Sequence, residues 1–236
     1  MNELVKQLSC VYYERWGYDL RKLALPTQIF ELTANQIACL KQISEELNGI
    51  PRFYEGDLAA RSDYYDCKHT LKLEFSDIKK EYLKGFFFKI GNKSPKDIQR
   101  FRHSKTKSVF KAIADSDAIW DEISFLSKNK LPIFFMARKW IEMNPNGEWR
   151  CFIKDRKLCE IVPKLLNKSK KCPDEFQTRI HNYFGRMFYQ LPSDNLIMDL
   201  YVPEDRRIIL MGLDAWLQPI LKRKFSVAET YIDGGY

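Results

Sequence analysis

The sequence predicts an α+β fold, in which helices are interspersed among antiparallel strands. Its 236 residues are 45% hydrophobic and 30% charged, which is the composition of a globular chain that buries a core. Segments of strand character are joined by polar turns, and helical segments fall between them without a steady β-α-β alternation. This arrangement favours hairpins and antiparallel sheets over a parallel sheet.

The first half of the chain is predicted to contain mostly helices. Thr33 has the character of a helix N-cap, and apolar residues at helical spacing follow it over 34–47. The polar and aromatic segment 52–84 has no clean periodicity, so only a short helix is expected within it. The predicted helices span 2–13, 34–47, 58–65 and 109–126, and the predicted strands span 20–25 and 86–90, the second ending in the turn 91–95.

The second half of the chain is predicted to contain two hairpins. The first occupies 134–161, with a turn at 144–147, and it carries far more charge than a core hairpin needs. The second hairpin turns around Pro203, and a helix precedes it. The predicted elements are strands from 134 and over 149–153, a helix over 176–189, and paired strands over 196–202 and 207–213.

The net charge of +8 and the isoelectric point of about 9.1 suggest an acidic partner. Nucleic acid, an anionic membrane surface, an acidic protein and a polyphosphate nucleotide all qualify, although many cytosolic proteins are equally basic. No zinc-finger spacing, aromatic RNA-binding motif or basic repeat is present, so no specific nucleic acid is predicted.

The remaining composition predicts a cytoplasmic protein. The longest apolar runs, such as 131–137, are too short to span a bilayer, and the first ten residues lack the pattern of a secretory signal. The six cysteines are scattered, with no C-x-x-C pair, which is typical of reduced thiols.

Three groups of residues are candidates for chemistry, since neither a glycine-rich phosphate loop nor a supported catalytic triad is present. The first group is Lys89 with the turn residues Ser94 and Lys96. The second is the charged hairpin with Lys164 beyond it, and the third is a pair of acids near two apolar strands. The hairpin candidates are Met136, Arg138, Trp140, Glu148 and Arg150, and the acids are Asp199 and Asp214.

Buried acids beside lysines and arginines permit two interpretations. An aspartate inside an apolar strand is costly to bury unless a cation pairs with it. Asp199 and Asp214 can therefore hold magnesium while the basic side chains hold a polyphosphate. Alternatively, the same groups form salt bridges with each other at the rim of the sheet.

The chain resembles the cell division cycle protein 123 family in five motifs that occur in the family's order. The charged segment has R-K-W at 138–140, N-P at 144–145 and E-W-R-C-F-I at 148–153. F-K at 88–89 with S-P-K-D at 94–97 is similar to the family's lysine-bearing strand and turn, and D-L-Y at 199–201 is similar to its D-V-Y. The resemblance is strongest over 84–216.

This resemblance implies an ATP-grasp-like fold, with two lobes that clamp ATP and magnesium between antiparallel sheets. It implies phosphate contacts from Lys89 and Lys164, and backbone contacts to adenine from the strand at 136–138 with Arg138 and Trp140 nearby. Glu148 and Arg150 would line the cleft, and Asp199 would bind magnesium. The implied organisation is an N-terminal region over 1–83, lobes over 84–135 and 136–225, and a tail over 226–236.

The sequence departs from the family pattern at the metal site. The family has D-F-N-P-W-G where this chain has G-L-D-A-W at 212–216. Gly212 replaces the first acid, and Asp214 replaces the asparagine. Asp199 and Asp214 remain as two carboxylates, and waters can complete the coordination of magnesium.

Three functions follow from the resemblance. The family assembles translation initiation factor 2 around its gamma subunit, so the first expectation is an ATP-binding assembly chaperone that acts on a protein client. The second is an ATP-dependent carboxylate–amine ligase that modifies a protein or peptide, as most ATP-grasp proteins are ligases. The third is a degenerate relative that binds a partner without nucleotide.

Overall fold

The computed structural model describes residues 3–50, 58–95, 97, 102–164, 171–204 and 207–216. Helices α1 to α7 span Glu3–Cys10, Tyr18–Lys22, Ala34–Leu47, Leu58–Glu81, Thr106–Asp115, Asp117–Lys128 and Asp174–Met187. Strands β1 to β7 span Thr27–Glu31, Phe86–Ile90, Phe134–Lys139, Glu148–Lys154, Lys157–Pro163, Leu196–Tyr201 and Ile209–Ala215. None of the helices in these ranges combines the length and the apolar character that a membrane crossing requires.

The described residues divide into two compact units. The first unit contains the residues up to Pro26 and those from Ile141 onward, and the second contains Thr27–Trp140. The first has a four-stranded sheet in the order β5-β4-β6-β7, and the second has a three-stranded sheet in the order β1-β3-β2. All pairings between these strands are antiparallel, so the predicted α+β class is confirmed.

The unit boundaries differ from the predicted domain boundaries. The chain divides after Pro26 and after Trp140, whereas the boundary predicted between 135 and 136 falls inside β3. The N-terminal segment joins the first unit through the backbone, because Leu210 N donates to Leu23 O at 2.8 Å. The predicted tail over 226–236 lies outside the described residues.

The predicted charged hairpin is not a hairpin. Its two strands exist as β3 and β4, but β3 pairs with β1 and β2, whereas β4 pairs with β5 and β6. The segment therefore connects the two sheets. A turn signal between two apolar runs does not distinguish a hairpin from a connection of this kind, because both need a polar reversal between strands. The second predicted hairpin is confirmed as the antiparallel pair β6 and β7.

The helix that begins after Thr33 forms as predicted. The Thr33 side chain accepts a hydrogen bond from Gln36 N at 3.2 Å, and Gln36 Oε1 accepts one from Thr33 N at 2.9 Å. This reciprocal capping box satisfies two backbone donors at the helix start. Gln36 Nε2 also lies 3.3 Å from the carboxylate oxygens of Glu74, which links α3 to α4.

Three predictions about local structure are wrong. The expected strand over 20–25 is instead α2, whose middle residue Leu20 is buried while Tyr18 and Asp19 are exposed, and the strand begins later, at Thr27. The expected helix over 58–65 continues to Glu81. The expected helix over 109–126 is two helices, because Ser116 caps α6 by accepting from Ile119 N at 3.3 Å.

The core of the second unit lies on one face of its sheet. Phe75 of α4 lies 4.8 Å from Phe135 of β3 and 5.3 Å from Phe110 of α5, measured between ring centroids. Phe88 of β2 and Phe30 of β1 stack on Phe135 at 5.2 and 5.1 Å. Because side chains alternate along a strand, this aromatic face leaves Lys89, Met136 and Arg138 on the other face.

Candidate functional site

Four charged side chains meet on one face of the sheet in the first unit. Arg150 lies directly opposite Asp199 in the strand register, and its Nε and Nη2 donate to the two carboxylate oxygens at 2.9 and 3.2 Å. Lys164, just beyond β5, places Nζ 2.7 Å from Asp199 Oδ2 and 3.9 Å from Glu148 Oε2. Four predicted site residues thus form one group, which we call the Asp199 cluster.

The Asp199 cluster is largely withdrawn from solvent. Asp199 and Glu148 expose 5% and 7% of their surface. Two cations and two carboxylates balance in charge, which is the condition under which ions can be buried. The predicted alternative, mutual salt bridges, is therefore realised in part, but the bridges lie inside the sheet and not at an exposed rim.

The electrostatics of the cluster keep its central groups charged. Burial alone would raise the pKa of the Asp199 carboxyl, but the neighbouring charges of Lys164 and Arg150 and the hydrogen bonds they donate hold this pKa well below its ordinary value. Burial would lower the pKa of Lys164, but Asp199 and Glu148 outweigh this effect and the repulsion from Arg150, so the pKa is raised. Both groups are ionised at neutral pH.

The second predicted metal ligand lies on the same face of the sheet. Gly212 pairs with Asp199 in the register of β6 and β7, and Asp214 pairs with Ile197, so that the two acids are diagonal neighbours on adjacent strands. Within the described ranges, no three His, Cys, Asp or Glu side chains form a group that could hold a metal ion. A divalent cation here would thus depend on two carboxylates and on oxygens from other sources.

An apolar cluster adjoins the charged group on this face. Phe152, two residues after Arg150, contacts Trp216 edge-on with 5.7 Å between ring centroids, and Ile197 and Val162 pack with them. Apolar neighbours exclude water, and they strengthen the charge interactions beside them by lowering the local dielectric constant.

The remaining predicted residues lie in the second unit. Lys89 pairs with Met136 in the register of β2 and β3, and Phe87 pairs with Arg138, which places Lys89, Met136 and Arg138 on one face of the three-stranded sheet. Met136 and Arg138 are each 2% exposed, and Lys89 is half-buried. Trp140 follows β3, and its backbone N donates to Gly85 O at 3.0 Å. The candidate Lys96 lies outside the described residues.

The backbone contact to adenine that the resemblance implies for residues 136–138 stays a prediction. Residues 136–138 lie in the central strand of their sheet, and they pair with β1 on one side and β2 on the other. The sequence did not reveal this arrangement, because nothing in it distinguishes a central strand from an edge strand that is equally apolar.

The match to a known family covers most of the strands described above. The sequence model of the D123 family matches residues 76–231, which is more than half of the chain. The chain belongs to the D123 family.

Relatives of this D123-family chain carry two names. The translation initiation factor eIF2 assembly protein of Sclerotinia sclerotiorum is 23% identical over 246 aligned residues, which cover 89% of this chain and 60% of the relative. The cell division cycle protein 123 of Phaeosphaeria nodorum is 29% identical over 92 residues, covering 37% of this chain and 24% of the relative. The chain therefore matches less than two thirds of the length of each relative.

A solved structure of a similar protein has the same fold. Cdc123 from Schizosaccharomyces pombe superimposes with a TM-score of 0.66 and 16% identity, covering 95% of this chain and 90% of that chain. The resemblance to the cell division cycle protein 123 family that the motifs indicated is confirmed.

The structure adds one residue that supports the site in this D123-family chain. Tyr201, the last residue of the D-L-Y motif, pairs with Glu148 in the register, and its hydroxyl accepts from Asn144 N at 3.2 Å. This bond holds the segment that leads into Glu148. The motif gave a signal at Tyr201, but the partner of the hydroxyl is more than fifty positions away in sequence and could not be predicted.

Proposed function

We propose that this D123-family chain binds ATP with magnesium and acts in the cytoplasm on a protein client, a subunit of translation initiation factor eIF2. The observation that carries the proposal is the buried and ionised Asp199 between Arg150 and Lys164 on one face of the four-stranded sheet. The names of the relatives, which describe eIF2 assembly, support the choice of client.

The chemistry of the Asp199 cluster suits a nucleotide and a divalent cation. A carboxylate that stays ionised when buried is a hard oxygen ligand of the kind that magnesium prefers. Asp199 and Asp214 would hold the ion, which would supply positive charge beside the phosphates. Lys164 and Arg150 are cations that can donate charge-assisted hydrogen bonds to phosphate oxygens. For Lys89, in the second unit, a phosphate contact is what the family resemblance implies. These ligands would compete with the ion pairs already present, so nucleotide binding would rearrange the cluster.

Nucleotide binding is tested by thermal denaturation of the purified chain with magnesium and ATP. We expect the ligand to raise the melting temperature, because binding to the folded state stabilises it by about 2.7 kcal/mol at a hundredfold excess of ligand over its dissociation constant.

Lys89→Met removes the charge and keeps most of the side-chain stem. The free energy of unfolding should therefore change by less than about 1 kcal/mol, while the ATP-dependent shift in melting temperature falls clearly. Lys84→Met, at an exposed neighbouring lysine, is the matched control. An absence of any shift with ATP, ADP or other nucleoside triphosphates would contradict the proposal.

Shared metal binding by Asp199 and Asp214 is tested by a double-mutant cycle. Asp199→Asn and Asp214→Asn should each weaken magnesium-dependent ATP binding, and their effects should be coupled by about 0.5–3 kcal/mol because both ligate one ion. Isothermal titration with and without magnesium measures the cycle, and near-ultraviolet circular dichroism verifies that each variant is folded. Additive effects that do not depend on magnesium would show that the two acids do not share a metal.

The choice of client is tested separately by size-exclusion chromatography with the purified gamma subunit of eIF2. Formation of a complex that responds to magnesium and ATP supports the proposal. Elution of the gamma subunit at its own position, with and without nucleotide, would contradict an eIF2 client and leave the nucleotide result standing.

A further inference from the structure

The first unit has an exposed aromatic and basic surface outside the Asp199 cluster. It consists of the tip of the β4–β5 hairpin, residues 154–157, together with Phe188 and Tyr189 in the short 3-10 turn after α7. We call it the hairpin-tip surface. Phe188 is 39% exposed and Tyr189 is 67% exposed, so two neighbouring aromatic rings meet solvent. Adjacent exposed aromatic side chains are characteristic of interaction sites.

The hairpin tip has an unusual backbone. Asp155 and Arg156 form the two-residue turn with φ of 49° and 57°. Such a turn favours asparagine and glycine, because other residues pay a steric cost at positive φ. Arg156 is therefore strained for its position, and interactions elsewhere must hold it there.

Four hydrogen bonds fix this turn to residues 188–195, and one of them goes to the aromatic residue Phe188. Arg156 Nη1 donates to Phe188 O at 3.0 Å, and Arg156 Nε donates to Asp194 Oδ1 at 2.6 Å. Arg156 N also donates to Asp194 O, and Asp155 N donates to Asn195 Oδ1, both at 3.0 Å. The tip and the aromatic segment are thus one preorganised platform, which reduces the entropy lost when a partner binds.

The aromatic rings are positioned by their own contacts. Phe188 lies 6.1 Å from the buried Phe184 ring and 6.0 Å from the Tyr189 ring, the second contact being edge-on. Phe184 therefore anchors Phe188 to the core, and Tyr189 extends outward from it. Aromatic residues held in this way dominate binding energy in protein interfaces.

The charge pattern of the tip indicates an acidic partner. Lys154 and Lys157 are directly opposite each other in the register, and both are exposed. Like charges at this position repel, so the pair lowers the stability of the hairpin. Arg186, in the last turn of α7, is a further exposed cation. The acids of these segments are Asp155 and Asp194, and Asp194 is paired with Arg156.

We propose that the hairpin-tip surface docks an acidic segment of the protein client that carries an aromatic or large apolar side chain. Carboxylates of that segment would neutralise Lys154 and Lys157, and its apolar side chain would pack on Phe188 and Tyr189. This inference rests on the proposed function for the existence of a protein client. It adds the surface that binds the client and the chemistry of the bound segment.

The test uses the purified chain and fluorescein-labelled synthetic peptides in an anisotropy titration. The probe peptide has aspartate and glutamate residues around one tryptophan, and the comparison peptides replace either the tryptophan with serine or the acids with lysine. We expect the probe to bind best, with an affinity that falls as salt is added. Preference for the lysine peptide, or equal binding of all three, would overturn the proposal.

Charge variants separate binding from stability. Lys157→Glu should lower affinity for the probe peptide about tenfold while raising the melting temperature, because it converts a repulsive cross-strand pair into an attractive one. A purely structural role predicts no loss of affinity. Lys107→Glu reverses one exposed charge in the other unit and is the matched control. An equal loss of affinity in this control would mean that net charge alone drives binding.

An aromatic variant completes the test. Tyr189→Ala should weaken probe binding about tenfold, whereas Tyr65→Ala, at another exposed tyrosine, should not. Tighter binding of a single-stranded uridine oligonucleotide than of the probe, lost in the same variants, would assign the surface to nucleic acid instead. Each variant should retain the ATP-dependent thermal shift of the unaltered chain. Failure of that shift in the unaltered chain would contradict nucleotide binding without altering the peptide result.

Discussion

Asp199→Ala is expected to lower the free energy of unfolding by about 3–5 kcal/mol, because it leaves two cations buried without their shared carboxylate. Arg150 loses a two-point ion pair, and Lys164 loses the contact at 2.7 Å and keeps the 3.9 Å approach to Glu148. Since a domain of this kind is stable by only about 5–15 kcal/mol, the variant should melt far below the unaltered chain. Urea denaturation followed by circular dichroism measures the difference.

The chain offers a matched control for this substitution. Asp77 forms an ion pair with Lys80 at 2.8 Å, but both side chains are at least 70% exposed. Asp77→Ala should therefore change the free energy of unfolding by less than about 1 kcal/mol. If Asp199→Ala lowers the free energy of unfolding no more than Asp77→Ala does, then burial does not strengthen the ion pairs of the Asp199 cluster.

Acid titration gives a second check on the same group. The pKa of Asp199 is lower in the folded chain than the ordinary carboxyl value of 3.8. Its contribution to stability is therefore complete well above pH 3.8, and it is lost as the pH falls below that value towards the lowered pKa. The difference in stability between the unaltered chain and Asp199→Ala should narrow over this acid range.

Features determined by local sequence were predicted well. The helix after Thr33 was found because Thr33 has the character of an N-cap and apolar residues at helical spacing follow it. The hairpin of β6 and β7 was found because a short polar turn separates two apolar runs. The residues of the Asp199 cluster were all identified as candidates. Asp199 was identified because an acid inside an apolar strand is costly to bury without a partner, and the other three because they belong to or follow the charged segment that resembles the family.

Features determined by distant parts of the chain were not predicted. The charged segment between β3 and β4 has the pattern of a hairpin, yet its strands belong to different sheets. Which strands pair is decided by the burial of whole faces, such as the aromatic core around Phe135, and not by the turn itself. Similarly, the sequence identified Arg150, Lys164 and Asp199 separately, but their mutual pairing depends on the register of β4 and β6.

The turn after β2 holds the strand of Lys89 against α6, and one glycine makes that contact possible. Gly91 has φ of 57°, and its N donates to Phe134 O at 3.0 Å. Beside it, the buried Glu122 accepts from Asn92 N at 2.8 Å. A Cβ atom at position 91 would lie 2.5 Å from Glu122 Oε1 and 2.8 Å from Leu126 Cδ1, which is closer than side chains approach.

Gly91→Ala is therefore expected to lower the free energy of unfolding by about 3 kcal/mol. Positive φ contributes about 1–2 kcal/mol for any residue with a Cβ, and moving Glu122 from its buried hydrogen bond contributes about 1–3 kcal/mol more. Gly49→Ala is the control, because Gly49 has φ of 72° and a Cβ atom there would meet no other atom within 4 Å, so only the backbone contribution applies. Urea denaturation gives the free energy of unfolding of both variants, and the difference between them is the contribution of the Glu122 contact. Equal losses of unfolding free energy in the two variants would mean that Glu122 and α6 move aside without destabilising the fold. The turn would then not fix the strand that carries Lys89.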